Sequence, residues 1–85
     1  MTGELSKLPN IGKIVEEQLE AIGINSKEAL EAVGSKAAWL KIREKDPSSC
    51  LHKLYALEGA IQGIKKSCLD EDTKNDLRDF FHDYQ

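Results

Sequence analysis

A short turn near the N-terminus carries the residues of this chain that are best suited to binding an anion. Residues 8–12 read Leu-Pro-Asn-Ile-Gly, with Lys7 before them and Lys13 after them. Backbone N–H groups at a tight turn that opens a helix can hold a phosphate, and the positive end of the helix dipole adds to the attraction. The sequence therefore predicts a phosphate contact at Lys7, Asn10, Ile11, Gly12 and Lys13.

The residues that follow supply helices to hold this turn. Apolar residues recur at steps of three and four from position 11 to position 22, which predicts a helix over about 12–22 with one buried stripe: Ile11, Ile14, Val15, Leu19 and Ile22. Gly23 is typical of a helix end, and Ser26 of the cap of a short second helix. Together the turn and the two helices, residues about 5–34, resemble a helix-hairpin-helix unit, which contacts nucleic-acid phosphates through backbone amides.

Two positions of the turn need tolerance of unusual backbone angles. Asn10 stands where such units usually carry glycine, and it reaches positive φ more readily than other non-glycine residues. Gly12 is expected to be needed for the same reason, so Gly12→Val is expected to damage the fold. Ile11 is expected to point inward and anchor the turn. The alternative is that the turn merely joins two packed helices, and the sequence leaves both interpretations open.

The remaining helices are read from their caps and stripes. Asp46-Pro47 is typical of a helix start, which predicts a long helix over about 47–66. A further helix is expected over about 70–84, with acidic residues in its first turn. No strand pattern or repeat is present. The sequence predicts an all-α fold of about five helices in one small domain, residues 1–85.

A row of small residues lies along the predicted long helix. Its members are Ala56, Gly59, Ala60 and Gly63. Because glycine in a helix interior costs about 0.5–1 kcal/mol relative to alanine, two glycines four residues apart indicate a close neighbour. That neighbour is either another part of this chain or a docked protein, including a second copy.

Charge is unevenly distributed around a net charge of −3. Residues 35–69 carry seven basic side chains against three acidic ones, whereas residues 70–85 carry six acidic side chains against two basic ones. A continuous positive surface from the turn to Lys41, Arg43 and Lys45 would favour DNA, and a turn isolated among glutamates would favour a protein partner.

Several kinds of function lack support in the sequence. Neither histidine, His52 or His82, has a partner at a useful helical spacing for catalysis or zinc binding, and Cys50 and Cys68 would stand about 27 Å apart on one helix. We therefore expect no enzyme activity, metal or cofactor. The chain has no secretion signal and no apolar run that could cross a bilayer, so a cytoplasmic, bacterial protein is expected.

The order of these features is similar to a known family. The motif at residues 8–12, Ile22-Gly23-Ile24 and the run Leu-Tyr-Ala-Leu-Glu-Gly-Ala-Ile at residues 54–61 resemble the C-terminal domain of the TfoX (Sxy) competence regulators. The resemblance implies a non-enzymatic regulatory module that acts in competence-gene transcription together with a cyclic-AMP receptor protein. A two-domain TfoX also has an N-terminal domain, and these 85 residues are expected to be a free-standing counterpart of the C-terminal domain.

Two functions follow as hypotheses. The first is weak contact with the phosphates of double-stranded DNA through the turn. The second is docking on a transcription regulator, on a separate N-terminal-like domain or on a second copy, through the row of small residues. The chain is expected to be a monomer or a weak homodimer.

Overall fold

Five α-helices make up most of the chain. The computed structural model describes residues 5–47 and 49–84 and has no strand among them. The α-helices are α1 (Lys13–Ala21), α2 (Lys27–Val33), α3 (Ser35–Lys45), α4 (Leu51–Gln62) and α5 (Glu71–Asp83), and short 3-10 turns span Leu5–Lys7 and Lys66–Cys68. This confirms the predicted all-α class. The predicted domain of residues 1–85 includes residues 1–4, Ser48 and Gln85, which lie outside the described residues.

The core forms around α4, which packs against α3 and α5. Leu54 and Leu57 of α4 are fully buried, as is Trp39 of α3. The Trp39 indole N–H donates a hydrogen bond to the Cys50 carbonyl oxygen at 3.3 Å, so the buried ring leaves no polar atom without a partner. Aromatic side chains at the end of α5 pack on the same ring, with Phe81 centred 5.5 Å away.

The stripe of α1 is largely as predicted, with one exception. Leu19 is fully buried and Ile11 nearly so, but the Ile14 side chain is 71% exposed. Ile14 lies in the first turn of α1, at the edge of the stripe, where no neighbouring helix covers it. The prediction that Ile14 is buried was therefore wrong.

The fourth helix begins later than the sequence predicted. Asp46 ends α3 instead of capping α4: its N–H donates to the Ile42 carbonyl oxygen at 2.8 Å, and its own carbonyl accepts from the Ser49 N–H at 3.0 Å. The Asp46 carboxylate accepts from the Gln18 amide at 3.0 Å and lies 3.4 Å from the Lys53 ammonium. These tertiary partners hold the predicted cap residue in a turn, so α4 starts at Leu51.

The fourth helix also ends earlier than predicted, at Gln62 instead of about residue 66. Gly63 follows in the left-handed region with φ 77°. Its N–H donates to the Ala60 carbonyl, and the Ile64 N–H reaches back to the Gly59 carbonyl at 2.9 Å, which is the Schellman arrangement. Cys68 therefore lies outside the helix, and both cysteines, Cys50 and Cys68, are exposed.

The last helix, α5, is capped by Asp70. The Asp70 carboxylate accepts a hydrogen bond from the Thr73 N–H at 2.7 Å. Hydrogen bonds from the Thr73 side chain and backbone lower the pKa of Asp70 below its usual value.

Within the described part of the chain, no helix has the length and apolar character needed to cross a membrane.

Candidate functional site

The turn at residues 8–12 is fixed by its own backbone and by one buried side chain. The Leu8 N–H donates to the Leu5 carbonyl at 3.0 Å, and the Ile11 N–H donates to the Leu8 carbonyl at 3.3 Å. Asn10 adopts φ 70°, the left-handed conformation expected for this position. The Ile11 side chain is 5% exposed and anchors the turn to the core, as predicted.

Asn10 ties the turn to a segment more than 50 residues away. Its side-chain amide Nδ2 donates to the Ile64 carbonyl oxygen at 3.0 Å, and its Oδ1 accepts from the Lys66 N–H at 3.0 Å. Both polar ends of the side chain are therefore used inside the molecule. The side chain points at the loop between α4 and α5 and leaves the outer side of the turn open.

The row of small residues on α4 makes room for this bridge. A Cβ atom at Gly59 would lie 2.5 Å from Asn10 Nδ2 and 2.8 Å from the Ile64 carbonyl oxygen, so only glycine fits there. Ala56 is 6% exposed and Ala60 is fully buried. The close neighbour indicated by the sequence is thus this chain itself.

This arrangement corrects the prediction of a docking face on α4. Of its four residues, Ala56, Gly59, Ala60 and Gly63, only the last is exposed, and Gly63 serves to end the helix. A partner could not reach Gly59 without displacing the Asn10 bridge, and Ala56 and Ala60 are buried inside the domain.

The bridge gathers lysines around the turn. Lys65 and Lys66 come to lie beside Lys7, and the three line one groove together with Pro9, Asn10, Gly63, Ile64 and Ser67. All three lysines are exposed, and no acidic side chain lines this groove. Their ammonium groups together raise the local positive potential, so the groove is suited to a multiply charged anion such as a nucleic-acid backbone.

On the α1 side of the turn, the backbone is uncovered. Gly12 precedes α1 with extended angles, φ −91° and ψ −178°, and its missing side chain provides no cap. The first N–H groups of a helix have no acceptor within the helix, so those of Lys13 and Ile14 point outward from its positive end. A Cβ atom at Gly12 would meet nothing within 4 Å.

The role assigned to Gly12 in the sequence analysis was therefore wrong in one respect. Its φ is one that any residue adopts, and the unusual φ of the turn belongs to Asn10 alone among residues 8–12. Gly12 leaves the backbone bare, and a Cβ atom there would meet no neighbour within 4 Å.

The basic residues of α3 do not line the groove that holds Lys7. Lys45 lines a second groove, beside Ile14, but Glu17 and Asp46 line it too. The Arg43 guanidinium lies 5.8 Å from the centre of the Trp39 ring. The positive surface around the turn continues instead through Lys65 and Lys66.

Sequence reasoning missed these two lysines as part of the site. Their only signal was local: two basic residues follow the glycine-containing row on α4. Nothing in the pattern linked them to a turn 56 residues earlier.

Within the described residues, no group of three or more His, Cys, Asp or Glu side chains is arranged to hold a metal ion.

Comparison with known proteins identifies the family to which this chain is similar. Residues 1–81 match the family described as the TfoX C-terminal domain. The chain is 33% identical over 76 residues to Protein Sxy of Escherichia coli (strain K12), an alignment that covers 89% of this chain and 36% of that protein. The chain thus corresponds to about a third of the length of this curated relative.

Two solved structures from Listeria monocytogenes share the fold. One is an uncharacterized protein in a triclinic form, with a TM-score of 0.93 at 50% identity over 94% of this chain and 91% of that chain. The other, a protein of unknown function in a tetragonal form, gives a TM-score of 0.93 at 49% identity over 95% of this chain and 99% of that chain. Because the family match spans nearly the whole sequence, this chain belongs to the family described as the TfoX C-terminal domain.

Proposed function

We propose that this domain is a regulatory module that contacts the phosphates of double-stranded DNA through the turn at residues 8–13 and the lysines around it. The observation that carries the proposal is the Asn10 bridge, which places Lys65 and Lys66 beside Lys7 next to an uncovered helix start. Backbone amides and lysines recognise phosphate without reading bases, so we expect little sequence preference.

The second reason to favour DNA is that the groove is open, is lined by three lysines and has no acidic lining residue. The conformation of the turn also leaves the first amides of α1 facing outward, where a phosphate oxygen would be stabilised by the helix dipole.

Such a site binds weakly when it acts alone. Neutralising about two phosphates gives a log–log salt slope of about −1.8, so the affinity would fall only about 12-fold between 50 and 200 mM salt. Useful occupancy at a promoter then requires a further contact or a DNA-bound partner protein. This is compatible with a family of regulatory domains, and a role in competence-gene transcription is part of the proposal.

The test is a titration of the domain with a short generic duplex, followed by amide chemical shifts at low and high salt. We expect shifts at residues 10–14 and 64–67 that disappear at the higher salt. Lys65→Glu combined with Lys66→Glu should abolish them, and Lys13→Glu should weaken binding. The matched control for Lys13→Glu is Lys41→Glu, an equal charge change at an exposed site on α3, which should have a much smaller effect.

Two results would refute the proposal. One is the absence of any shift in the parent protein at low salt. The other is unchanged binding by the variant with both Lys65→Glu and Lys66→Glu, provided that its circular dichroism and thermal unfolding match those of the parent.

A second candidate function, docking on a transcription regulator or a separate N-terminal-like domain, is favoured by one observation. The Ile14 side chain is 71% exposed and lines an apolar groove with Ala21 and Ile42. An exposed isoleucine at the edge of such a groove is suited to serve as an anchor for a protein partner. This surface replaces the row of small residues on α4 in the docking hypothesis.

Docking through Ile14 can be tested separately from DNA binding. Ile14→Ser should leave the fold and the DNA titration intact but reduce binding to a purified N-terminal domain of a two-domain relative, measured by calorimetry. Equal binding of the parent and the variant to that domain, or no binding by either, would remove this candidate.

A further inference from the structure

The C-terminal helix separates its charges onto two faces. Lys74 and Arg78 are four residues apart, so they lie on one side of α5, and both line a groove on that side. Asp72 and Asp76, also four residues apart, line a different groove, where Asp76 forms an ion pair with Lys36. The acidic net charge of residues 70–85 therefore hides a basic face.

This basic face is joined to the groove at the turn. The groove that Lys74 and Arg78 line also contains Lys66 and Ser67, and these two residues line the groove beside Lys7 as well. The two grooves thus meet at Lys66. Together the two grooves are lined by five basic residues: Lys7, Lys65, Lys66, Lys74 and Arg78.

The position of Lys74 is held by a contact with α4. The Tyr55 hydroxyl donates a hydrogen bond to the Lys74 carbonyl oxygen at 3.5 Å, which fixes the backbone of α5 against α4 at this point. Tyr55 and His52, whose rings lie 6.2 Å apart, form the floor of the groove. Its one acidic lining residue is Glu71.

We propose that the face formed by Lys66, Lys74 and Arg78 is a second phosphate-binding surface, which takes the backbone of the same DNA duplex that contacts the turn. This inference rests on the proposed function. Arginine and lysine four residues apart on a helix can each reach a separate phosphate, and arginine can bind one through two hydrogen bonds. The partner is identified by charge: a polyanion longer than a single phosphate.

The salt dependence of binding distinguishes one surface from two. If the turn alone neutralises about two phosphates, the affinity falls about 12-fold between 50 and 200 mM salt. If Lys74 and Arg78 neutralise about two more, the slope doubles to about −3.6 and the affinity falls about 150-fold over the same range. Fluorescence anisotropy of a labelled generic duplex, titrated at 50 and at 200 mM salt, measures the fall in affinity directly.

Charge reversal shows which surface is responsible. Lys74→Glu combined with Arg78→Glu should weaken binding at low salt by at least tenfold and reduce the fall of the affinity between 50 and 200 mM salt to about 12-fold.

Asp72 and Glu71 offer a matched pair for removing an acidic charge, because both lie in the first turn of α5 and, of the two, Glu71 lines the groove. Glu71→Gln should strengthen binding several-fold, and Asp72→Asn should have a much smaller effect.

The outcomes separate this inference from the proposed function. Binding that is lost with Lys65→Glu and Lys66→Glu but unaffected by Lys74→Glu and Arg78→Glu would overturn the second surface and leave the turn site in place. Binding lost only with the α5 variant would overturn the turn site. Equal effects of Glu71→Gln and Asp72→Asn would show that only net charge matters, and the second surface would be refuted. No binding by the parent would refute both.

Discussion

Replacing Asn10 with glycine tests the central structural claim, that this side chain joins the turn to the loop after α4. Glycine adopts φ 70° without strain, so Asn10→Gly removes the two hydrogen bonds to Ile64 and Lys66 without disturbing the turn itself. At about 0.5–1.5 kcal/mol for each hydrogen bond, the free energy of unfolding should fall by about 1–3 kcal/mol. For a domain of this size, a loss of about 2 kcal/mol lowers Tm by about 8–16 °C.

The assay is urea unfolding followed by circular dichroism and by the fluorescence of Trp39. Asn25→Gly is the control, because Asn25 is exposed in the loop between α1 and α2 and the same change there should cost less than about 0.5 kcal/mol. Hydrogen exchange of the Lys66 amide, which donates to Asn10, should accelerate in Asn10→Gly only. If Asn10→Gly unfolds at the same urea concentration as the parent, the bridge does not contribute to stability and the reasoning is wrong.

Three further predictions follow from the backbone and the caps. Gly59→Ala should lower the free energy of unfolding in urea by about 1–2 kcal/mol, because the alanine Cβ would meet the Ile64 carbonyl and the Asn10 side chain. This loss is expected although alanine is the better helix former. The loss should be smaller when Gly59→Ala is combined with Asn10→Gly. Gly12→Val should unfold within about 1 kcal/mol of the parent, since its φ is ordinary and the space around it is open; a collapse of the fold would contradict the extended conformation. Because the pKa of Asp70 is lower in the folded than in the unfolded protein, its contribution to stability is complete above the unfolded pKa and is lost as pH falls through the folded pKa. Asp70→Asn should therefore lose less stability than the parent below about pH 4 in urea titrations. An identical pH dependence of the two proteins would show that this cap does not cause the loss of stability in acid.

The sequence by itself determined most of the helices, because their signals are local. The Schellman end of α1 at Gly23, the Ser26 cap of α2 and the Asp70 cap of α5 each depend on residues within about six positions of one another. The buried stripe of α1 follows from the helical period in the same way. These features would form in nearly any surrounding structure, so pattern alone locates them.

The extent of α4 was decided by tertiary contacts. Asp46 has the chemistry of a helix cap, but its carboxylate binds Gln18 and Lys53 instead, and these partners are brought to it by the packing of α1 and α4. Gly63 can continue a helix or end one. It ends α4 here because the Asn10 bridge holds the following loop, residues 64–66, against Gly59.

The candidate site, too, could be predicted from the sequence only in part. Its turn and its first two lysines, Lys7 and Lys13, could be read from seven neighbouring residues, 7–13. The placement of Lys65 and Lys66 could not, because it depends on hydrogen bonds that span 54 and 56 positions. The separation of charge on α5 is visible as a helical period, but which face meets the turn depends on how α5 packs against α4, and only the folded chain determines that orientation.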